Sequence, residues 1–143
     1  MHMILITGGV NAGKSYLLHT FRSLRNIFLI DPLAVDVTTA RAWSEPSPGI
    51  KIVAFDHIGD LTNASAQVRT AMAWCEANGA TLYLCDKERA DIEALDIEIP
   101  DTALELNMNI TYTVKVKGRC AELGDEVLAA SCLTDLSDRV LCL

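Results

Sequence analysis

The sequence predicts an α/β protein with a three-layer, mainly parallel sheet of about five strands and helices on both faces. Three observations lead there. Short apolar runs, such as Met3–Ile6, Ile27–Ile30 and Ile52–Phe55, read as strands covered on both sides. Segments of helical period stand between them. Strand and helix signals therefore alternate along the chain, which favours parallel pairing.

Each element has a local reason. Met3-Ile4-Leu5-Ile6 ends at Thr7-Gly8-Gly9, a strand meeting a turn. From Lys14 to Arg25, the residues Leu17, Leu18, Phe21 and Leu24 fall on one helix face, and Asn26 is the expected stop. Ile27–Ile30 is a second strand, ended by Asp31-Pro32. Residues 33–43 carry no clear pattern, and Ser44-Glu45-Pro46-Ser47-Pro48-Gly49 is the plainest loop. Ile50 to Phe55 is a third strand, ending in Asp56. A helix over 64–77 sets Val68, Ala71, Met72 and Cys75 on one face. Asn78-Gly79 closes it, because both residues tolerate positive φ. Thr81–Cys85 is a fourth strand, followed by a short acidic helix over Glu88–Leu95.

Residues 86–105 hold eight acids and two bases and read as a solvated face. Ile110 to Lys117 alternates apolar with polar, as a half-exposed strand at a sheet edge does. Leu128, Cys132, Leu136 and Val140 suggest an amphipathic helix near the end of the sequence.

Length and composition narrow the class. The 143 residues are read as a single domain, 1–143. A folded chain of this size buries roughly 68–70 % of its unfolded surface, enough for a core without staples. An apolar fraction of 50 % with 22 % charged residues excludes general disorder, collagen-like chains and coiled coils. The net charge is −7, and Lys115, Lys117 and Arg119 are the nearest approach to a basic run. A nucleic-acid partner would need a basic surface built locally or by an oligomer. Five cysteines without a CxxC spacing argue for buried, reduced thiols rather than a zinc site. No apolar run approaches the roughly 18 residues of a membrane span, and no secretory leader pattern is visible. The expected location is cytoplasmic, with no membrane partner.

One motif carries chemistry. Gly8-Gly9-Val10-Asn11-Ala12-Gly13-Lys14-Ser15 matches G-x-x-x-x-G-K-[ST] in full, between a strand and a helix. Glycines let the backbone turn tightly and aim its N–H groups at a phosphate. The first helical turn adds unpaired donors and a positive dipole end. Lys14 would supply a point charge to the β- and γ-phosphates, and Ser15 a hydroxyl to the magnesium bridging them. A second metal-side residue is expected as an Asp at the end of a buried strand. Asp56 fits, with Asp31 as its competitor.

This run resembles the Walker A loop of P-loop nucleoside triphosphatases, with Asp56 in the Walker B role. The resemblance implies a P-loop fold binding Mg2+ and ATP. Gly8, Gly9, Val10, Asn11, Ala12, Gly13, Lys14, Ser15 and Tyr16 would hold the nucleotide, and Ser15 and Asp56 the metal. A GTPase reading takes Asp56-His57-Ile58-Gly59 as D-x-x-G and Asp86-Lys87 as a degraded N-K-x-D. Arg89 stands where the second Asp of that motif belongs, and a single helix is expected between the Asp56 and Asp86 strands.

The order of elements over residues 3–90 is closer to the RecA-like branch of the additional-strand ATPases. There a strand lies between the Walker A and Walker B strands in chain order, and Ile27–Ile30 supplies it. Asp86 or Lys87 would take the phosphate-sensing position. Residue 57 is His, so no Glu follows Asp56; Asp31, Asp36 or Glu45 could position the attacking water. His57 reads more readily as a packed strand-end residue than as a base. The likeness extends to small phage and mobile-element ATPases, including packaging motors and Zot-like or FtsK/HerA-like proteins. It implies an ATP hydrolase working as a homo-oligomer, with nucleic acid as a possible substrate. An arginine from a neighbour would complete the site, the candidates being Arg41, Arg69, Arg89 and Arg119. A binding module with little turnover and a kinase-like protein are the other readings.

Overall fold

The computed structural model describes residues 1–9, 14–24, 26–108, 113–116 and 119–122. Within them a seven-stranded sheet runs in the order β2-β3-β4-β1-β5-β6-β7. The strands are β1 (His2–Thr7), β2 (Ile27–Ile30), β3 (Ile52–Phe55), β4 (Thr81–Asp86), β5 (Leu104–Asn107), β6 (Thr113–Val116) and β7 (Arg119–Glu122). The pairings from β2 through to β5 are all parallel, and β6 and β7 add antiparallel pairings beyond β5. The expectation of a mainly parallel α/β sheet holds, with a five-strand parallel part.

The helices are α1 (Lys14–Leu24), α2 (Ala64–Asn78) and α3 (Arg89–Glu93), with a one-turn 3-10 helix at Ile58–Asp60. Two-residue alternation sends the side chains of each strand to opposite faces. Ile4 and Ile6 of β1 join one apolar cluster with Leu17 and Leu18 of α1. Met3 and Leu5 join the other, with Val68, Ala71 and Cys75 of α2 and Ile92 of α3. The parallel strands thus carry an apolar layer on each face, which is why they read as unbroken hydrophobic runs. Each fully buried Leu or Ile stabilises the fold by roughly 1.5–3 kcal/mol relative to exposure. Phe21 and Leu24, expected beside Leu17 and Leu18, have side chains outside the described residues.

Gly79 ends α2 as expected. It sits at φ 64°, in the left-handed region, and its N–H donates to the Cys75 carbonyl. Glu88 caps α3, its side chain meeting the Asp91 N–H while Asp91 returns to the Glu88 N–H at 3.2 Å.

Two expectations need correction. The acidic block was read as solvated throughout, yet its last residues enter β5, and Leu104, Glu105 and Leu106 are buried beside β1. Glu105 interrupts the apolar run and hid the strand. The alternating segment Ile110–Lys117 was expected at a sheet edge. Thr113–Val116 is instead an interior strand, because β7 pairs on its far side. The remaining residues of that segment, and the helix expected around Leu128–Val140, lie outside the described residues.

Candidate functional site at the carboxyl ends of the parallel strands

Parallel strands deliver their last residues to one end of the sheet, where α/β proteins bind ligands. Here Thr7 ends β1 and Gly8 follows it, Asp31 follows β2, Asp56 follows β3, and Asp86 ends β4. Helix α1 begins at the same end with Lys14 and Ser15.

The phosphate-loop candidate is tied in at its start. Gly8 has φ 155°, which glycine reaches without a Cβ penalty. Its N–H donates to the Lys87 carbonyl at 2.9 Å, and the Thr7 carbonyl accepts the Met108 N–H at 2.8 Å. The Lys14 ammonium turns back onto the loop, donating to the Gly8 carbonyl and, at 2.9 Å, to that of Gly9. Val10, Asn11, Ala12 and Gly13 lie outside the described residues. Tyr16 is exposed, one residue beyond Ser15.

The Ser15 hydroxyl donates to Asp56 Oδ2 at 2.7 Å. The start of α1, the helix that follows β1, is thereby joined to the end of β3 across the intervening β4. Cys85 of β4 lies beneath this bridge, beside Asp56, and is free and buried. Burial, reinforced by the Asp56 charge and hydrogen bond, pushes its thiol well above the usual range. It is a reduced apolar thiol, as expected.

Asp56 is buried, and its Oδ1 accepts the His57 backbone N–H at 2.8 Å. His57 stands in the left-handed conformation, φ 52° and ψ 47°, which non-glycine residues adopt at a cost. That conformation brings its Nδ1 to 2.9 Å from Asp31 Oδ1 and 3.5 Å from Asp56 Oδ2. Its pKa is raised. Partial burial, the largest single influence, pulls it down, but the Asp31 hydrogen bond and the Asp56, Asp31 and Asp60 charges together outweigh that. Ligand atoms of Asp31, Asp56 and His57 all lie within 4.8 Å of one another. His57 thus bridges the two strand-end carboxylates.

The sequence candidates separate on this geometry. Lys14, Ser15, Asp56 and Asp31 converge, with Ser15 selecting Asp56 over Asp31. Asp36 stands apart from that group: its carboxylate accepts bonds from the N–H and hydroxyl of both Thr38 and Thr39, at 2.6–2.9 Å. Those donors, the two hydroxyls foremost, hold its pKa down at about 2. Glu45 is exposed in its loop. Asp86 is half-buried, and burial raises its pKa against the pull of the Lys87 N–H. Of the arginines, Arg69 pairs with Asp96 and Arg89 with Glu93 and Glu105; the Arg119 side chain lies outside the described residues.

Glu105 was not foreseen as a site neighbour. It is 6 % exposed, accepts the Thr7 hydroxyl at 3.5 Å, and lies 3.6 Å from Arg89. It thus joins β5 and α3 to the residue that precedes Gly8. An acid between Leu104 and Leu106 was the one available signal.

Comparison with protein-family models, with curated proteins and with solved structures finds no match for this chain. Among the described residues, no helix is long and apolar enough to cross a membrane.

Proposed function

We propose that this chain is a minimal RecA-like P-loop ATPase that binds Mg–ATP and hydrolyses it as a subunit of an oligomer acting on nucleic acid. The observation that carries the reading is the 2.7 Å contact between Ser15 and Asp56. A hydroxyl from the first turn of α1 and a carboxylate from the end of β3 meet beside a lysine at the start of that helix. That is a hard-oxygen pair suited to magnesium, next to the charge and dipole suited to phosphates. Magnesium would supply charge neutralisation between the β- and γ-phosphates.

Lys14 would exchange the Gly8 and Gly9 carbonyls for phosphate oxygens. Ser15 and Asp56 would hold the metal. Asp31, which stands in the cluster with Asp56 and His57, is preferred over Asp36 for orienting the water. Water would attack the γ-phosphorus as the bond to the β-phosphate oxygen breaks; ADP would leave with that electron pair, and the water's proton would pass to solvent with the release of phosphate. The connection from β3 to β4 holds one α-helix, α2, and no further strand, which supports this branch over the GTPase one.

Titration with a fluorescent ATP analogue tests binding. Lys14→Ala should weaken it about 10–100-fold, the worth of a charge-assisted contact. Equal affinities for wild type and variant would refute the assignment. Phosphate release measured with and without DNA or RNA, across protein concentration, tests the motor. A rate per subunit that is flat with concentration would leave a nucleotide-binding module instead.

A further inference from the structure

The segment between β2 and β3 is built so that aliphatic side chains protrude. Val35 is 92 % exposed and Val37 100 %, with Leu33 beside them at 54 %. Asp36, the acid between the valines, spends its carboxylate on the Thr38 and Thr39 donors. Arg22 of α1 braces the same threonines, at 2.7 Å to Thr39 and 3.2 Å to Thr38. A backbone bridge between Ile30 and Ala40 and the Asp31 N–H bond to Ala40 close the base of the loop. Polar side chains thus hold a shape whose outward surface is apolar, and such a surface marks a contact site.

The exposed charge beside it is Arg41, which makes no ion pair among the described residues. An aliphatic tip with one cation asks for an apolar surface edged by carboxylates. The chain itself presents one in residues 95–101. Leu95, Ile97 and Ile99 are half-buried, while Asp96, Glu98 and Asp101 face outward. Asp96 is met by Arg69, but neither Glu98 nor Asp101 makes an ion pair among the described residues. The two surfaces do not meet within one molecule. The loop leaves edge strand β2 and the acidic segment enters β5, four strand spacings away, about 19 Å at 4.8 Å each.

We propose that the Leu33–Val37 loop and Arg41 of one copy dock on the Ile97–Asp101 face of a second copy. Two different patches of one chain meet, so the contact is head-to-tail and builds rings or filaments. Arg41 then meets carboxylates rather than a phosphate. The proposal deepens the assembly half of the reading above and rests on it only for the purpose of the assembly, not for the contact.

Sedimentation velocity from micromolar to hundreds of micromolar protein tests it, with nucleotide affinity measured in parallel. Wild type should associate. Val35→Ser/Val37→Ser should weaken association by about tenfold or more, since each exposed valine loses its apolar contact. Arg41→Glu and Glu98→Lys should each weaken it, and the two together should recover most of the loss, as a double-mutant cycle detects. All four positions are exposed, so thermal melts should stay at the wild-type value. A monomeric wild type, a valine variant that assembles normally, or a charge swap no better than its single changes would overturn the contact. Assembly that persists although the chain binds no nucleotide would strike the ATPase reading and support this contact.

Discussion

Two segments at the same end of the sheet are built in opposite ways. The one joining β1 to α1 is rich in glycine, and its lysine is held by the carbonyls of Gly8 and Gly9. The one joining β2 to β3 is held by its own side chains. Asp36 and two threonines lock its first half. Trp43 anchors its second half, 6.0 Å from Phe28, 6.5 Å from Phe55 and 6.2 Å from Trp74 by ring centres. The Trp43 N–H also donates to Gln67 of α2 at 2.7 Å. In the proposed reading, the Lys14 ammonium of the first segment would leave the Gly8 and Gly9 carbonyls for a ligand. The first half of the second segment has spent Asp36 and its threonines and shows aliphatic side chains, which suits a protein contact rather than a phosphate.

The largest effect should come from breaking the aromatic anchor. Trp43→Ala should destabilise the chain by about 3 kcal/mol, the low end for deleting a packed aromatic. Chemical denaturation reads this. If nucleotide affinity falls no further than that loss of fold explains, the two segments are independent.

Asp56→Asn should come next. It removes the anionic acceptor of Ser15 and the hard-oxygen charge of the proposed metal site. Analogue affinity measured against magnesium should lose its metal dependence, a fall of about tenfold or more at saturating metal. An unchanged magnesium response would move the metal role to Asp31.

Gly79→Ala tests a place where backbone alone decides. At φ 64° an alanine is strained although nothing crowds its Cβ, so stability should drop by about 1 kcal/mol in the same denaturation assay. A neutral result would mean the end of α2 relaxes.

The smallest effect concerns acid. The pKa of Asp36 is depressed to about 2, so its contribution is present above the unfolded value of 3.8 and is lost as pH falls through about 2. His57 has the opposite sign. Its pKa is raised above 6.5, so its contribution is complete below that value and fades as pH rises through the folded one. Both tryptophans lie in one aromatic cluster, so their fluorescence reports on this end of the β2–β3 segment. Asp36→Asn should abolish an acid transition between pH 4 and 2 and leave the neutral range unchanged. An identical acid profile in the variant would show that Asp36 does not hold the loop.

Much of the fold was legible because burial on both faces leaves a plain mark. Met3–Ile6, Ile27–Ile30, Ile52–Phe55 and Leu82–Cys85 needed no tertiary information to be read as strands. Strand β5 was not legible, since Glu105 looks like one more member of an acidic run. Its burial depends on Thr7 and Arg89, which lie far away in sequence. The loop at 33–43 was unreadable for a related reason. One acid between two valines carries no clear pattern, and the donors of Thr38 and Thr39 and the reach of Arg22 give the segment its shape.

By itself the sequence determined the alternation of strand and helix, the glycine-lysine-serine run between β1 and α1, and the acids at the strand ends. Those are local properties, set by side-chain period, turn chemistry and the conformational freedom of glycine. Which acid meets which partner was decided only by tertiary structure. Asp31 and Asp56 are alike in sequence, each directly after a buried strand, and Asp36 lies a few residues beyond the first of them. The sheet order leaves only β4 between β3 and β1, so Ser15 reaches Asp56 across Cys85. The left-handed backbone of His57 then turns its ring to Asp31, while Asp36 folds onto its own threonines. Hydrogen bonds act over about 3 Å, and at that range the pairing of distant strands, not residue type, assigns the partners.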